Sequence, residues 1–222
     1  MKGFLESRWL IDRLHRERMV REAHARHTLW EALKHPRVLS LGLVYFGTAA
    51  ASYGLGFWLP TIVKEFGVSD LQTGFITAIP YAVGVAAVVI WPLLSDRMQE
   101  RKWNTTLAFL VAAAGLALSS YFPDPVLKIT MLCIAAVGMF AIAPLFWTLP
   151  TAFLSGTAAA GGIALINSIG NLAGFVSPFI VGWIKDATCS TNNGRYVIAV
   201  SLAIGGAIVV AIAQRGTRRI AV

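Results

Sequence analysis

Ala158-Ala-Ala-Gly-Gly-Ile-Ala-Leu-Ile-Asn-Ser-Ile-Gly-Asn-Leu-Ala-Gly-Phe-Val-Ser-Pro178 carries no charge, and the apolar run continues to Ile184. A helix rises about 1.5 Å per residue and needs about 20 apolar residues to cross a bilayer core. The stretch is therefore long enough to span. It is not uniformly lipid-like, because Asn167, Asn171, Gly174 and Pro178 follow one another at helical spacing and share one face. An amide unpaired in hydrocarbon costs several kcal/mol, so that face must meet another helix or a water-filled cavity. Gly170 and Gly174 form a small-xxx-small pair that serves helix packing equally well. Packing and pathway both remain open for Asn171.

Working outward, five more stretches have the same character: about Leu41 to Val63, Thr73 to Leu94, Thr105 to Phe122, Val126 to Leu149 and Tyr196 to Ala213. With Ala158 to Ile184 they predict six transmembrane helices. Inside these spans Lys128 stands near an end, and Asp, Glu, Arg and His are lacking. The composition agrees: 56% of residues are hydrophobic, 14% are charged and the mean hydropathy is +0.66. Soluble domains carry about 25% charged residues, so a soluble fold is excluded. The fold class expected is an all-α membrane protein.

Net charge is +8, and its placement sets an orientation rather than a nucleic-acid surface. The bases before the first span, Arg97, Arg101 and Lys102 between the second and third, and Arg215, Arg218 and Arg219 in the tail fall on one side. Lys64, Lys128, Lys185 and Arg195 fall on the other. The heavier side is cytoplasmic by the positive-inside rule, which predicts both termini inside. Trp58, Trp91, Trp103 and Trp183 stand at span ends, as belt residues do.

Residues 1–37 read as a basic cytoplasmic linker helix, 38–214 as the six-span bundle and 215–222 as a basic cytoplasmic tail. In the first segment Asp12 with Arg16, Glu17 with Arg21 and Glu22 with Arg26 are helical ion pairs. It has no signal-peptide apolar core, so insertion is expected to rely on the first span. His15, His24 and His27 lack the Cys or carboxylate neighbours of a metal site. Cys133 and Cys189 give neither metal spacing nor a disulfide framework. No cofactor, metal or nucleic-acid partner is expected. An intramembrane enzyme is a poor reading, because all four histidines precede the first span and no acidic dyad lies at depth.

Pro60, Pro80, Pro144, Pro150 and Pro178 interrupt the spans, which predicts bends that neighbouring groups must satisfy. Between the second and third spans, Ser95-Asp96-Arg97 and Arg101-Lys102 place a carboxylate beside guanidinium groups. Asp96, Arg97 and Arg101 form a candidate cytoplasmic gate latch, with positive-inside anchoring as the plainer alternative.

That loop is similar to the inter-helix signature of the major facilitator superfamily in the version found in its second half, with Pro92 where the signature has glycine. More specific is Pro144 to Asp186, which resembles the tenth and eleventh helices of the anion:cation symporter branch, especially its bacterial tartrate-transporter-like carriers. Tyr45-Phe-Gly and Tyr53-Gly-Leu-Gly-Phe-Trp-Leu-Pro60 fit the same branch. The resemblance covers essentially the whole chain but only the carboxyl half of a twelve-span transporter. It implies two inverted three-helix repeats and proton-coupled import of an organic anion, such as tartrate or a sugar acid, across the inner membrane by alternating access.

Residue by residue, the resemblance gives Trp147 and Asn167 as substrate-site residues. Asn171, Tyr53 and Thr48 are counted with them, Thr48 standing where some relatives have a polar amide. The family's carboxylate-binding cations and proton carriers lie in the amino half, so an amino-terminal six-helix partner is expected. The alternative is a non-transporting fragment or a six-span interaction module.

Overall fold

A computed structural model describes residues 34–217 apart from Gln99, Phe153 and Ser155. The linker helix expected over 1–37 lies outside the described residues up to position 33, as does the tail beyond position 217. The described residues are helical throughout, without strands: α1 Pro36–Lys64, α2 Asp70–Met98, α3 Arg101–Tyr121, α4 Pro125–Phe146, α5 Thr148–Thr151, α6 Gly156–Asn171, α7 Ala173–Thr188 and α8 Asn192–Thr217. Six continuous or nearly continuous spans result, with α4 and α5 forming the fourth and α6 and α7 the fifth.

Local chemistry starts them where they start. His35 Nδ1 accepts from the Arg37 amide, ahead of Pro36 in the first turn of α1. Ser69 and Gln72 form a reciprocal capping box at α2, each side chain accepting from the other's amide at 3.3 and 3.0 Å. Asp124 caps α4 through the Leu127 amide at 2.8 Å, with Pro125 following it. The turn after α7 is made by Cys189 in the left-handed region, at φ 51°. Cys133 and Cys189 are both free thiols.

Packing does not follow chain order. α2 packs chiefly on α4, and α1 chiefly on α6 and α7; α3 lies on α4, α8 lies on α1, and α3 meets α8. Exchanging the first three spans with the last three leaves that pattern unchanged. Because spans alternate in direction, the first and fourth run oppositely. The bundle is thus two inverted three-helix repeats, interleaved so that each repeat's second helix packs on the other repeat's first.

The core lies among α1, α3, α4 and α8, where Leu41, Leu59, Phe109, Leu132, Phe146 and Leu202 are fully buried. The α3–α4 contact is the tightest. A methyl group at Gly115 would strike the backbone of Ala135, and one at Gly138 the backbone of Ala112. In a bilayer, such close approach supplies the dispersion contact that replaces the hydrophobic drive. By contrast, only 22% of an apolar 18-residue stretch is buried in α2 and in the Ala158–Thr188 span alike, against 61% in α1. These two symmetry-equivalent spans present their apolar side chains outward.

Several helices extend a few residues beyond the spans expected from sequence, and two of these extensions bear on charged residues. Asp96 and Arg97, expected in a connection, occupy the last turn of α2. The sixth span begins at Asn192 rather than Tyr196, which brings Arg195 into its first turn with 3% exposure.

Candidate functional site

Of the three spans that carry candidate substrate residues, the first is continuous and the other two are broken at or beside them. The fourth loses helical form at Trp147, between α4 and α5, and the fifth at Leu172, between α6 and α7. Proline explains the break in the fourth span, because Pro150 cannot donate to the Phe146 carbonyl four residues earlier. Pro178 and the Gly174 carbonyl it leaves free lie inside α7, beyond the break at Leu172. Side chains take up carbonyls near the breaks. The Thr148 hydroxyl donates to Leu145 O at 2.7 Å, the Thr151 hydroxyl to Trp147 O at 3.1 Å, and Asn171 Nδ2 to Asn167 O at 2.9 Å. These hydroxyl and amide donors stay within their own span, on carbonyls of the turns beside each break.

Around the fifth-span break a short polar chain forms. The Tyr53 hydroxyl donates to Asn171 Oδ1 at 3.1 Å, and Asn171 Nδ2 donates to Asn167 Oδ1 at 3.0 Å. The donors are spoken for in sequence, which leaves Asn167 Nδ2 as a donor end and the Tyr53 oxygen as an acceptor end. Asn167 and Asn171 are exposed on the bundle surface, and Tyr53 is 45% exposed. The chain sits near the middle of the Ala158–Thr188 span, where amides facing lipid would be costly.

Trp147 belongs to an aromatic group beside this chain. Its ring centroid lies 5.0 Å from Tyr45 and 5.3 Å from Phe146, and Tyr45 stacks on Phe146 at 5.3 Å. Tyr45 presses on Gly170, where any larger residue would collide with its ring, and Tyr53 lies against Gly174. The two glycines therefore seat aromatic rings of α1 rather than a helix backbone. Through Tyr45 and Gly170 the aromatic group joins the polar chain. An arrangement of half-buried indole beside amide and phenol groups can hold a carbon chain bearing hydroxyl and carboxylate oxygens.

Thr48 is not part of this surface. It is 5% exposed, and its hydroxyl donates to Val44 O within α1 at 3.1 Å. Tyr45 is the residue that sequence reading gave no role, since one aromatic in an apolar run is indistinguishable from packing until its neighbours are known.

At the other candidate region Arg101 Nε and Nη2 both engage Asp96 Oδ1, at 3.1 and 3.0 Å, joining the end of α2 to the start of α3. Each side chain is about half exposed, at 55% for Asp96 and 54% for Arg101. Arg97 is exposed on the same turn. The pair closes the short connection between neighbouring helices.

A sequence pattern described as Major Facilitator Superfamily matches residues 7–178. Two proteins of Agrobacterium vitis, each described provisionally as a tartrate transporter, are 43% and 45% identical to this chain over 97% and 95% of its length. A quinolone resistance transporter of Acinetobacter baumannii is 37% identical over 90% of the chain. The alignments cover 48%, 48% and 46% of those proteins, so the chain spans about half the length of the curated relatives it matches.

Proposed function

The chain belongs to the major facilitator superfamily, and on that premise we propose that it forms the carboxyl half of a proton-coupled organic-anion symporter. The relatives are transporters rather than enzymes, and the six apolar spans make this a multi-pass membrane protein. The substrate class proposed is a hydroxylated carboxylic acid such as tartrate or a sugar acid, in keeping with the description of the Agrobacterium vitis relatives. The observation that carries the reading is the exposed Tyr53–Asn171–Asn167 chain at the middle of a broken span.

In this reading Asn167 Nδ2 donates to a substrate carboxylate or hydroxyl oxygen, and the Tyr53 oxygen accepts from a substrate hydroxyl. The Trp147 indole covers the carbon chain. Thr48 acts at one remove, through α1, since its hydroxyl is held by Val44. The apolar faces of α2 and of the Ala158–Thr188 span are assigned to an amino-terminal six-helix half, with the substrate held between the halves and the two rocking in alternating access. Proton transfer is assigned to that half too, because ionisable residues mark coupling sites at membrane depth and the described charges of this chain stand near span ends. The Asp96–Arg101 pair is placed at the cytoplasmic end of an inner-membrane protein, where Arg97 is free to reach across the gate.

The test is uptake of labelled tartrate and hexonates by cells expressing the chain with and without an amino half from a relative. Uptake driven by a pH gradient is expected only with both halves. Robust pH-driven uptake by the six-span chain alone would overturn the assignment of coupling to the partner, and no uptake with either arrangement would favour a non-transporting module.

A further inference from the structure

α1 keeps one strip of its surface uncovered: Ser52, Tyr53, Gly56, Phe57 and Pro60 are all exposed, and their spacing places them on a single face. The fifth span borders this strip where Tyr53 reaches Gly174 and Asn171. α2 reaches the same strip one turn away. The contact there is a second phenol, for the Tyr81 hydroxyl oxygen stands 3.3 Å from where a Cβ at Gly56 would lie. Gly56 is thus the residue that leaves room for that oxygen over the strip.

Depth agrees with this placement. Tyr81 lies as far along α2 from Asp70 as Tyr53 lies along α1 from Lys64, and the two helices are joined at that end. At about 1.5 Å per residue both stand roughly 16 Å from it, well inside a hydrocarbon core. The inverted repeats supply a second correspondence. A methyl group at Gly84 of α2 would strike the Phe140 ring of α4, as one at Gly170 of the fifth span would strike the Tyr45 ring of α1. Three residues before each of these glycines comes a polar side chain, Tyr81 in one repeat and Asn167 in the other.

Tyr81 is 37% exposed, and its ring stands edge-on to Phe140 at 6.2 Å. Its hydroxyl has no protein hydrogen-bond partner among the described residues. A hydroxyl left unpaired at membrane depth is costly, and an oxygen-bearing ligand over the strip would remove that cost. The Tyr53 hydroxyl has given its proton to Asn171, whereas the Tyr81 hydroxyl keeps both a proton to donate and lone pairs to accept with. We propose that Tyr81 is a further substrate-site residue, which hydrogen-bonds a hydroxyl of the acid carried and so selects hydroxylated over deoxy substrates. The proposal rests on the transport reading above and extends its site from the fifth span to α2. A site that reads a hydroxyl through a held polar group rejects the analogue lacking it, because the group is then left unpaired. The ring, set between Phe140 and Gly56, holds its oxygen in place for that purpose.

The chain, completed with an amino half from a relative and reconstituted in proteoliposomes, is to be assayed with a labelled hexonate in competition with its single-deoxy analogues. Tyr81→Phe keeps the ring and should raise the half-saturating hexonate concentration about tenfold, the effect of losing one hydrogen bond. For the one analogue that lacks the contacted hydroxyl, the variant and the unmutated protein should bind alike, since the interaction is already gone. An equal loss across the whole series would overturn the proposal and assign the hydroxyl to packing or to the amino half. Unchanged affinity throughout would overturn it too, while leaving the transport reading intact. No uptake of any hydroxylated acid by the unmutated transporter would overturn the transport reading itself, and this proposal with it.

Discussion

Asn171 is used on every side. Its amide donates twice to Asn167 and accepts from Tyr53, so it is the connector of the chain whose two ends are proposed above to meet the substrate. Removing the Tyr53 hydroxyl should therefore do more than delete one contact, because Asn171 Oδ1 loses its donor and the amide is freed to turn. In a transporter completed with an amino half, Tyr53→Phe is expected to weaken substrate affinity about tenfold, about one hydrogen bond's worth. Asn167→Ala and Trp147→Ala should each weaken it at least as much, read as the half-saturating concentration in proteoliposome uptake. Unchanged affinity in the last two would count against the site. Ser177 makes a different contribution: its buried hydroxyl donates to Ala50 O at 2.7 Å, pinning α7 to α1. Ser177→Ala should lower stability by about 1 kcal/mol in detergent unfolding and leave affinity unchanged.

Among the elements, α3 and α4 meet backbone to backbone at Gly115 and Gly138, and neither glycine has a flexible neighbour that can yield. Gly138→Leu should cost about 3 kcal/mol through overpacking, seen as a lower Tm, whereas Gly74→Leu on α2, where a side chain meets open space, should cost far less. Comparable losses in the two would show that the α3–α4 seam is not special. What sequence could reveal follows the same line. The Asn167 and Asn171 stripe was legible because amides are conspicuous in an apolar run, and the six spans because hydropathy measures length directly. Gly115 and Gly138 were hidden, since every span is rich in glycine and alanine and the contact depends on which helix lies opposite. Arg195 was hidden for a related reason: its burial comes from the turn at Cys189, which starts α8 earlier than hydropathy alone implies. The break at Trp147 was half visible, in Pro144 and Pro150, but which carbonyls would be taken by Thr148 and Thr151 was not.

For the molecule as a whole, the interleaving of the two repeats reaches beyond shape. The main partner of α2 is α4, and the partners of α1 are the fifth and sixth spans. A ribosome that has delivered the first three helices into the membrane has therefore made almost none of the contacts that hold them. Assembly must wait on synthesis, and the early helices need lipid or an insertion chaperone to shelter them until the later ones arrive. Chains halted after Tyr121 should remain sensitive to protease in isolated membranes, chains extended through Phe146 should gain protection over α2 and α3, and protection of α1 should begin once α6 and α7 have left the ribosome and be completed by α8. Protection of α1 in the shortest chain would mean that the first repeat folds by itself. The symmetry that lets one half of the bundle mirror the other is, on the timescale of translation, a delay built into the order of the helices.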